Sequence, residues 1–170
     1  PKGAFIDRMS ELCREEKIQV LIGIGGGTVL DSAKAVAASA CTDGNCREWI
    51  TGKKVLKKAL PVIAVPTTAA TGSEMNSGGL ISFPERKEKI SFGHPLLFPK
   101  AAFIIPEFTA SQNREQTVAG CADVLFHIME GNYFTRGEKT GTHLRIMEEL
   151  MRDLIRYAGI VAEDLENYEA

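Results

Sequence analysis

Phe5, Ile6, Met9, Leu12 and Cys13 recur at helical spacing, with Arg8, Glu11, Arg14, Glu15 and Glu16 between them, which predicts an amphipathic helix over residues 3–16. The period then changes. Residues 18–24, IQVLIGI, are a short, β-branched apolar run of the kind that forms a strand buried on both faces of a parallel sheet. Gly25, Gly26 and Gly27 follow at once, and helical spacing resumes over residues 28–40 through Val29, Leu30, Ala33, Val36, Ala37 and Ala40. After a polar, lysine-rich stretch at 41–60, residues 60–65 predict a second buried strand, ending at Pro66. Residues 67–78, TTAATGSEMNSG, carry hydroxyls and small side chains and little that fills a core, so they read as a loop with a purpose other than packing. Residues 80–83 and 89–92 flank Pro84-Glu85-Arg86-Lys87 as a β-hairpin, and 102–105 form a third strand closed by Pro106. Beyond it the pattern is helical only, over 117–134 and 142–158. The alternation predicts an α/β fold with a parallel sheet over residues 1–108, followed by the start of an all-helical part over 109–170.

Composition narrows the function classes. The 170 residues hold 20 Lys+Arg against 22 Asp+Glu and are 44% hydrophobic, enough apolar material for the core of one ordinary domain. That charge balance offers no basic face for nucleic acid, and Lys53, Lys54, Lys57 and Lys58 read as a solvated loop or helix edge. No apolar run approaches the ~20 residues of a membrane span, and the first residues lack a secretion signal. Cys13 and Cys121 lie in apolar-periodic stretches as free thiols, which suits a reducing, cytoplasmic compartment. Cys41 and Cys46 read as turn or loop thiols rather than zinc ligands.

Gly25, Gly26, Gly27 and Thr28 sit between a predicted buried strand and a helix N-terminus, whose unpaired amides and partial positive charge suit a phosphate. The turn matches neither G-x-G-x-x-G nor a P-loop, and a tight connection that needs positive φ is the plainer reading. Asp31, one turn into the helix, either receives a ribose or amide group or complements the helix dipole. Residues 117–130 are apolar almost all round and read as a largely buried helix in which Asp123 and His127 are the odd residues. Spacing i, i+4 puts both on one face, where they suit one divalent cation or, alternatively, a buried Asp–His pair without metal. Glu130 stands at i+3 from His127 as a candidate outer partner, while His94 and His143 read as surface residues.

In series, IGGGTVLDSAKAVAA (24–38), PTTAATGSEMNSGGLIS (66–82), KEKISFGHPLLFPK (87–100) and TVAGCADVLFHIMEGNYFT (117–135) resemble the iron-containing (group III) alcohol dehydrogenase family, most closely its butanol dehydrogenase branch. The resemblance implies that residues 1–108 bind a dinucleotide and that 109–170 begin a helical metal-binding domain. It places Gly25, Gly26, Gly27 and Thr28 at the pyrophosphate of NAD or NADP, Asp31 beside it, Thr67, Thr68 and Ser73 near the cofactor, and Lys89 at the ribose. Asp123 and His127 match half of the family's ligand set of one Asp and three His, with Fe²⁺ the first candidate and Zn²⁺ its rival. The other two histidines are expected beyond residue 170, so the chain reads as an internal part of a longer, homo-oligomeric enzyme and as inactive alone. The implied reaction is hydride transfer between a small primary alcohol or aldehyde and NAD(P). A glycerol- or polyol-type dehydrogenase of the same superfamily, and a truncated non-catalytic nucleotide-binding module, are the alternatives. Two departures from the family pattern, Ile105 for Asp and Gln112-Asn113 for Leu-Pro, mark the link between the two parts.

Overall fold

The computed structural model describes residues 1–133 and 141–167, which group into two compact units. The first comprises Pro1–Thr67 and Gly72–Ile105; the second comprises Thr68–Thr71 and the residues from Pro106 onward. The elements of the first unit are α1 (Gly3–Glu15), β1 (Leu21–Gly25), α2 (Gly27–Ala40), α3 (Cys46–Ile50), β2 (Val62–Pro66), β3 (Gly78–Phe83), β4 (Glu88–Gly93) and β5 (Ala101–Ala102). Those of the second are α4 (Arg114–Tyr133) and α5 (Gly141–Glu163). Among the described residues no helix is long and apolar enough to cross a membrane.

The sheet of the first unit is parallel, in the order β1-β2-β5; β1 is joined to β2 through α2 and α3, whereas β2 is joined to β5 through the β3–β4 hairpin. Leu21 lies opposite Val62 and Gly25 opposite Pro66, while Ile63 lies opposite Ala101. The central strand β2 meets the expectation of two-sided burial, with Val62, Ala64 and Val65 all buried. Strand β1 does not: Ile22 and Ile24 are each 59% exposed. It is an edge strand, and only the face carrying buried Gly23 is covered, by Leu30 and Ala33 of α2. Its surroundings open onto an apolar groove of about 860 Å³ lined by Phe5, Met9, Leu12, Val20, Ile22 and Val29. The third strand is also shorter than the expected 102–105, although Phe103 N–H still donates to Ala64 O at 2.9 Å.

The β3–β4 hairpin packs against α1, α2 and α3 and closes a core through Ile6, Ala35, Val36, Ala38, Trp49, Ile81, Phe83 and Phe92. Gly3 is required there, because a Cβ would collide with the Phe83 ring. Trp49 donates from Nε1 to Ser39 Oγ at 2.8 Å and meets Phe92 edge-on, with ring centroids 5.5 Å apart. Helix α3 lies inside the stretch that the polar pattern left without an element. Asn45 nucleates it by accepting the Glu48 N–H at 3.2 Å, a capping contact generally worth about 1 kcal/mol. As a result Cys46 is no loop thiol: it opens α3 and is fully buried. Lys53, Lys57 and Lys58 are exposed, as the charge run predicts.

In the second unit α4 begins three residues before the expected Thr117, because Asn113 Oδ1 accepts the Gln116 N–H at 2.8 Å and caps the first turn. Helix α4 packs along α5. The expectation of a largely buried helix fails: over residues 114–130 only Gly120 is buried, and Phe126 is 64% exposed. A helix apolar on all sides needs neighbours on all sides, and within its own unit α4 has α5 and the short 68–71 segment. Phe134 and Thr135, which end the fourth matching stretch, lie outside the described residues.

Candidate functional site

The glycine turn occupies the C-terminal end of β1, where open parallel sheets place their ligands. Gly25 adopts φ +152°, and a Cβ there would stand 2.6 Å from Val29 Cγ2, so the position demands glycine. Gly26 caps α2 in extended conformation with no side-chain capping hydrogen bond; its carbonyl accepts the Val29 N–H at 2.9 Å, so the Gly27 and Thr28 amides are the ones at the positive end of the helix dipole that suit a ligand. Thr28 is exposed in that first turn. Next to it, Thr67 N–H donates to Gly25 O at 3.2 Å, which ties the end of β2 to the turn. Backbone donors at the positive end of a helix fit the chemistry of a phosphate group.

Asp31 and Ser73 are brought together: Ser73 Oγ donates to Asp31 Oδ1 at 2.7 Å, and Leu80 N–H donates to Asp31 Oδ2 at 3.0 Å. The carboxylate thereby reaches across to both ends of the 73–80 segment. Gly79 makes room for it, since a Cβ there would lie 2.6 Å from Asp31 Cγ. Pattern reading missed Lys34, whose side chain is fully buried three residues after Asp31. Its signal was available as a charged residue on the buried side of an apolar helix, at i+3 from an acid. Burial lowers the pKa of its ammonium, and the negative charges of Asp31 and Glu74 work against that fall. Lys89 is exposed on β4, opposite Ser82 in the hairpin. His94 is half-buried rather than a plain surface residue, its Nδ1 accepting the Leu96 N–H at 3.2 Å, while His143 is exposed.

The second unit holds Thr68, Asp123 and His127. Asp123 Oδ2 and His127 Nε2 lie 3.6 Å apart, with side chains 47% and 55% exposed. The pair is therefore not a buried ion pair, and its oxygen and nitrogen donors converge as a shared divalent cation would need. Among the described residues no group of three or more His, Cys, Asp or Glu side chains is placed to hold a metal ion. Glu130 is exposed one turn further on. One turn before Asp123, Gly120 lets the threonine loop approach: a Cβ there would lie 2.7 Å from Ala69 O.

Comparison with known proteins bears on both halves. The family model described as iron-containing alcohol dehydrogenase matches residues 1–106. The probable NADH-dependent butanol dehydrogenase 1 of Bacillus subtilis is 40% identical over 169 residues, which cover 99% of this chain and 43% of that protein. The crystal structure of NADH-dependent butanol dehydrogenase A from Thermotoga maritima superposes with a TM-score of 0.93 at 35% identity, covering 99% of this chain and 42% of that one. Sulfoacetaldehyde reductase from Bifidobacterium kashiwanohense, solved in complex with NAD⁺, gives a TM-score of 0.89 at 27% identity, over 99% of this chain and 45% of its own. The chain thus spans less than half the length of these relatives.

Proposed function

The chain belongs to the iron-containing alcohol dehydrogenase family, and from that premise we propose that it carries the nicotinamide-dinucleotide site and half of the metal centre of an NAD(P)-dependent oxidoreductase acting on small primary alcohols and aldehydes. The observation that carries this reading is the uncapped strand-to-helix turn at Gly25, Gly26 and Gly27, with Thr67 hydrogen-bonded to it. In this reading the amides at the start of α2 bind the pyrophosphate, and Thr28 closes the cradle from the first turn. Asp31, Thr67, Thr68 and Ser73 line the cofactor, and Lys89 reaches its ribose from the hairpin. Asp123 and His127 hold the divalent cation, Fe²⁺ first and Zn²⁺ as rival, together with ligands outside these 170 residues. When bound, the cation supplies Lewis-acid polarisation of the substrate oxygen, and the nicotinamide ring takes up or gives the hydride. One carboxylate, that of Asp123, beside the neutral imidazole of His127 would leave the cation a net positive charge, so that it would still act as a Lewis acid toward a substrate oxygen. The functional protein is a homo-oligomer in this reading.

NADH and NADPH fluorescence titrations of the wild type and of Gly26→Val test the proposal. A valine side chain at the cap obstructs close approach of the pyrophosphate, and affinity is expected to fall by about tenfold or more with the fold retained by circular dichroism. Equal affinity in the two folded proteins contradicts the cradle.

A further inference from the structure

Lys34 is the one fully buried lysine of the first unit's core, and it sits where an apolar helix would ordinarily place Met or Leu. Removing an ammonium from water is costly unless every donor is satisfied. Here each is. Lys34 Nζ donates to Ser73 O at 2.9 Å, to Asn76 Oδ1 at 2.8 Å and to Asn76 O at 3.3 Å, and Asp31 Oδ1 stands 3.9 Å away. The acceptors all belong to the segment that leaves the threonine loop. Asn76 extends the contact: its Oδ1 also accepts the Gly78 N–H at 3.0 Å, and its Nδ2 donates to Gly72 O at 3.2 Å. Together with the Ser73 and Leu80 bonds to Asp31, two adjacent turns of α2 therefore hold residues 72–80 by charge-assisted hydrogen bonds, in addition to the β3–β4 pairing that begins at Gly78. Met75, Asn76 and Leu80 are themselves exposed, so apolar burial does little to fix this segment.

We propose that Lys34 is a positioning residue of the dinucleotide site, its buried ammonium fixing Ser73–Asn76 against α2 so that Ser73 and the loop that begins at Thr67 are presented to the cofactor. The role rests on the dinucleotide reading above. Lys34 does not touch the cofactor in this scheme. It acts through the carbonyls and the Asn76 amide that it holds, and the side chain that replaces it decides how well the loop is ordered before binding.

The test compares Lys34→Met, which keeps the stem and removes the charge and donors, with Val36→Ala, a buried truncation in the same helix that makes no contact with the loop's polar groups. NADH affinity by fluorescence titration and amide exchange at Gly78 and Leu80 are read for both, in proteins shown to be folded. Lys34→Met is expected to weaken NADH by about tenfold or more and to speed exchange at both amides, while Val36→Ala stays within about twofold of wild type. An affinity for Lys34→Met within about twofold of that for Val36→Ala overturns the proposal. Asn76→Ala, at an exposed residue, keeps the test decisive if Lys34→Met does not fold: about threefold weaker NADH binding supports the role and unchanged binding overturns it. A wild type that binds neither NADH nor NADPH instead overturns the dinucleotide reading itself, and the role with it.

Discussion

Between β1 and α2 the proposed recognition groups are backbone amides, and the unit around them carries its own core, with Ile6, Ala35, Ala38, Cys46 and Ile81 each 0% exposed. On α4 the proposed recognition groups are side chains. Their unit has no buried residue in α5 and leaves Val118, Phe126, Ile146 and Ile155 each more than 45% exposed. A backbone cradle is only as well placed as the strand and helix that meet at it, so it requires a rigid, self-sufficient unit. A pair at i and i+4 is pre-set by the helix itself, and its remaining requirement is for further ligands. The two halves of the proposed site should therefore fail separately. In the active protein, Asp123→Ala and His127→Ala are expected to lower alcohol oxidation by about three orders of magnitude, with NADH affinity held within about twofold. Parallel loss of NADH affinity and turnover would mean that the units are not independent in this sense.

What the sequence made legible follows the same division. The strand–glycine–helix run was readable because one short apolar run, three glycines and a resumed helical period each speak of local geometry; the turn and α2 lie where that pattern puts them, while β1 begins at Leu21 rather than at residue 18. Pattern overstated burial at Ile22, Ile24 and along α4, since an apolar run reports what a segment can bury against and carries no information on which neighbours it has. Helix α3 went unseen because its five residues rest on one capping side chain, Asn45, and on the burial of Cys46 and Trp49, which is a tertiary property. Lys34 was legible only in part: a charged residue in an apolar helix at i+3 from Asp31 stands out, but its acceptors lie about forty residues away in the chain, and no local spacing announces them.

The buried core of the first unit makes its own prediction at alkaline pH. Burial pushes the Cys46 thiol up from about 9.0 to about 12, with the hydrogen bond and charge of Asp7 adding to it. Because the folded value lies above the unfolded one, the contribution to stability is complete below about pH 9 and is lost as pH rises toward 12. Chemical unfolding between those limits should show a stability that falls by a few kcal/mol with rising pH, and Cys46→Ala should flatten that slope. An identical slope in the variant would place the alkaline sensitivity elsewhere. Thiol titration gives a second reading, since exposed Cys41 should react in the native protein and Cys46 only on unfolding.

Heating should separate the units directly. Trp49 is the chain's single tryptophan and lies in the core of the first unit, so its fluorescence follows that unit alone. Helical ellipticity follows α4 and α5 as well. Few buried contacts imply a low local free energy of opening, so part of the ellipticity should be lost before the Trp49 transition begins. Coincident transitions would instead show one cooperative unit.

The smallest expected effect dissects that early transition. Asn113 Oδ1 accepts the Gln116 N–H at the start of α4, and the Asn113 carbonyl accepts the Thr117 N–H at 3.0 Å. Asn113→Ala removes the first of these bonds and keeps the second, which isolates the capping side chain. Loss of such a cap generally costs about 1 kcal/mol. In a unit of this size that lowers a melting midpoint by several degrees, about 4–8 °C for domains of 60–100 residues. The early loss of ellipticity should therefore shift down while the Trp49 transition stays in place. Asn113→Pro is informative beside it. Proline cannot supply the side-chain acceptor, although its fixed φ suits the start of a helix. If both substitutions shift the helical transition equally and leave Trp49 unmoved, the cap alone carries the effect. A shift of the Trp49 transition by Asn113→Ala would contradict the separation of the two units on which the comparison rests.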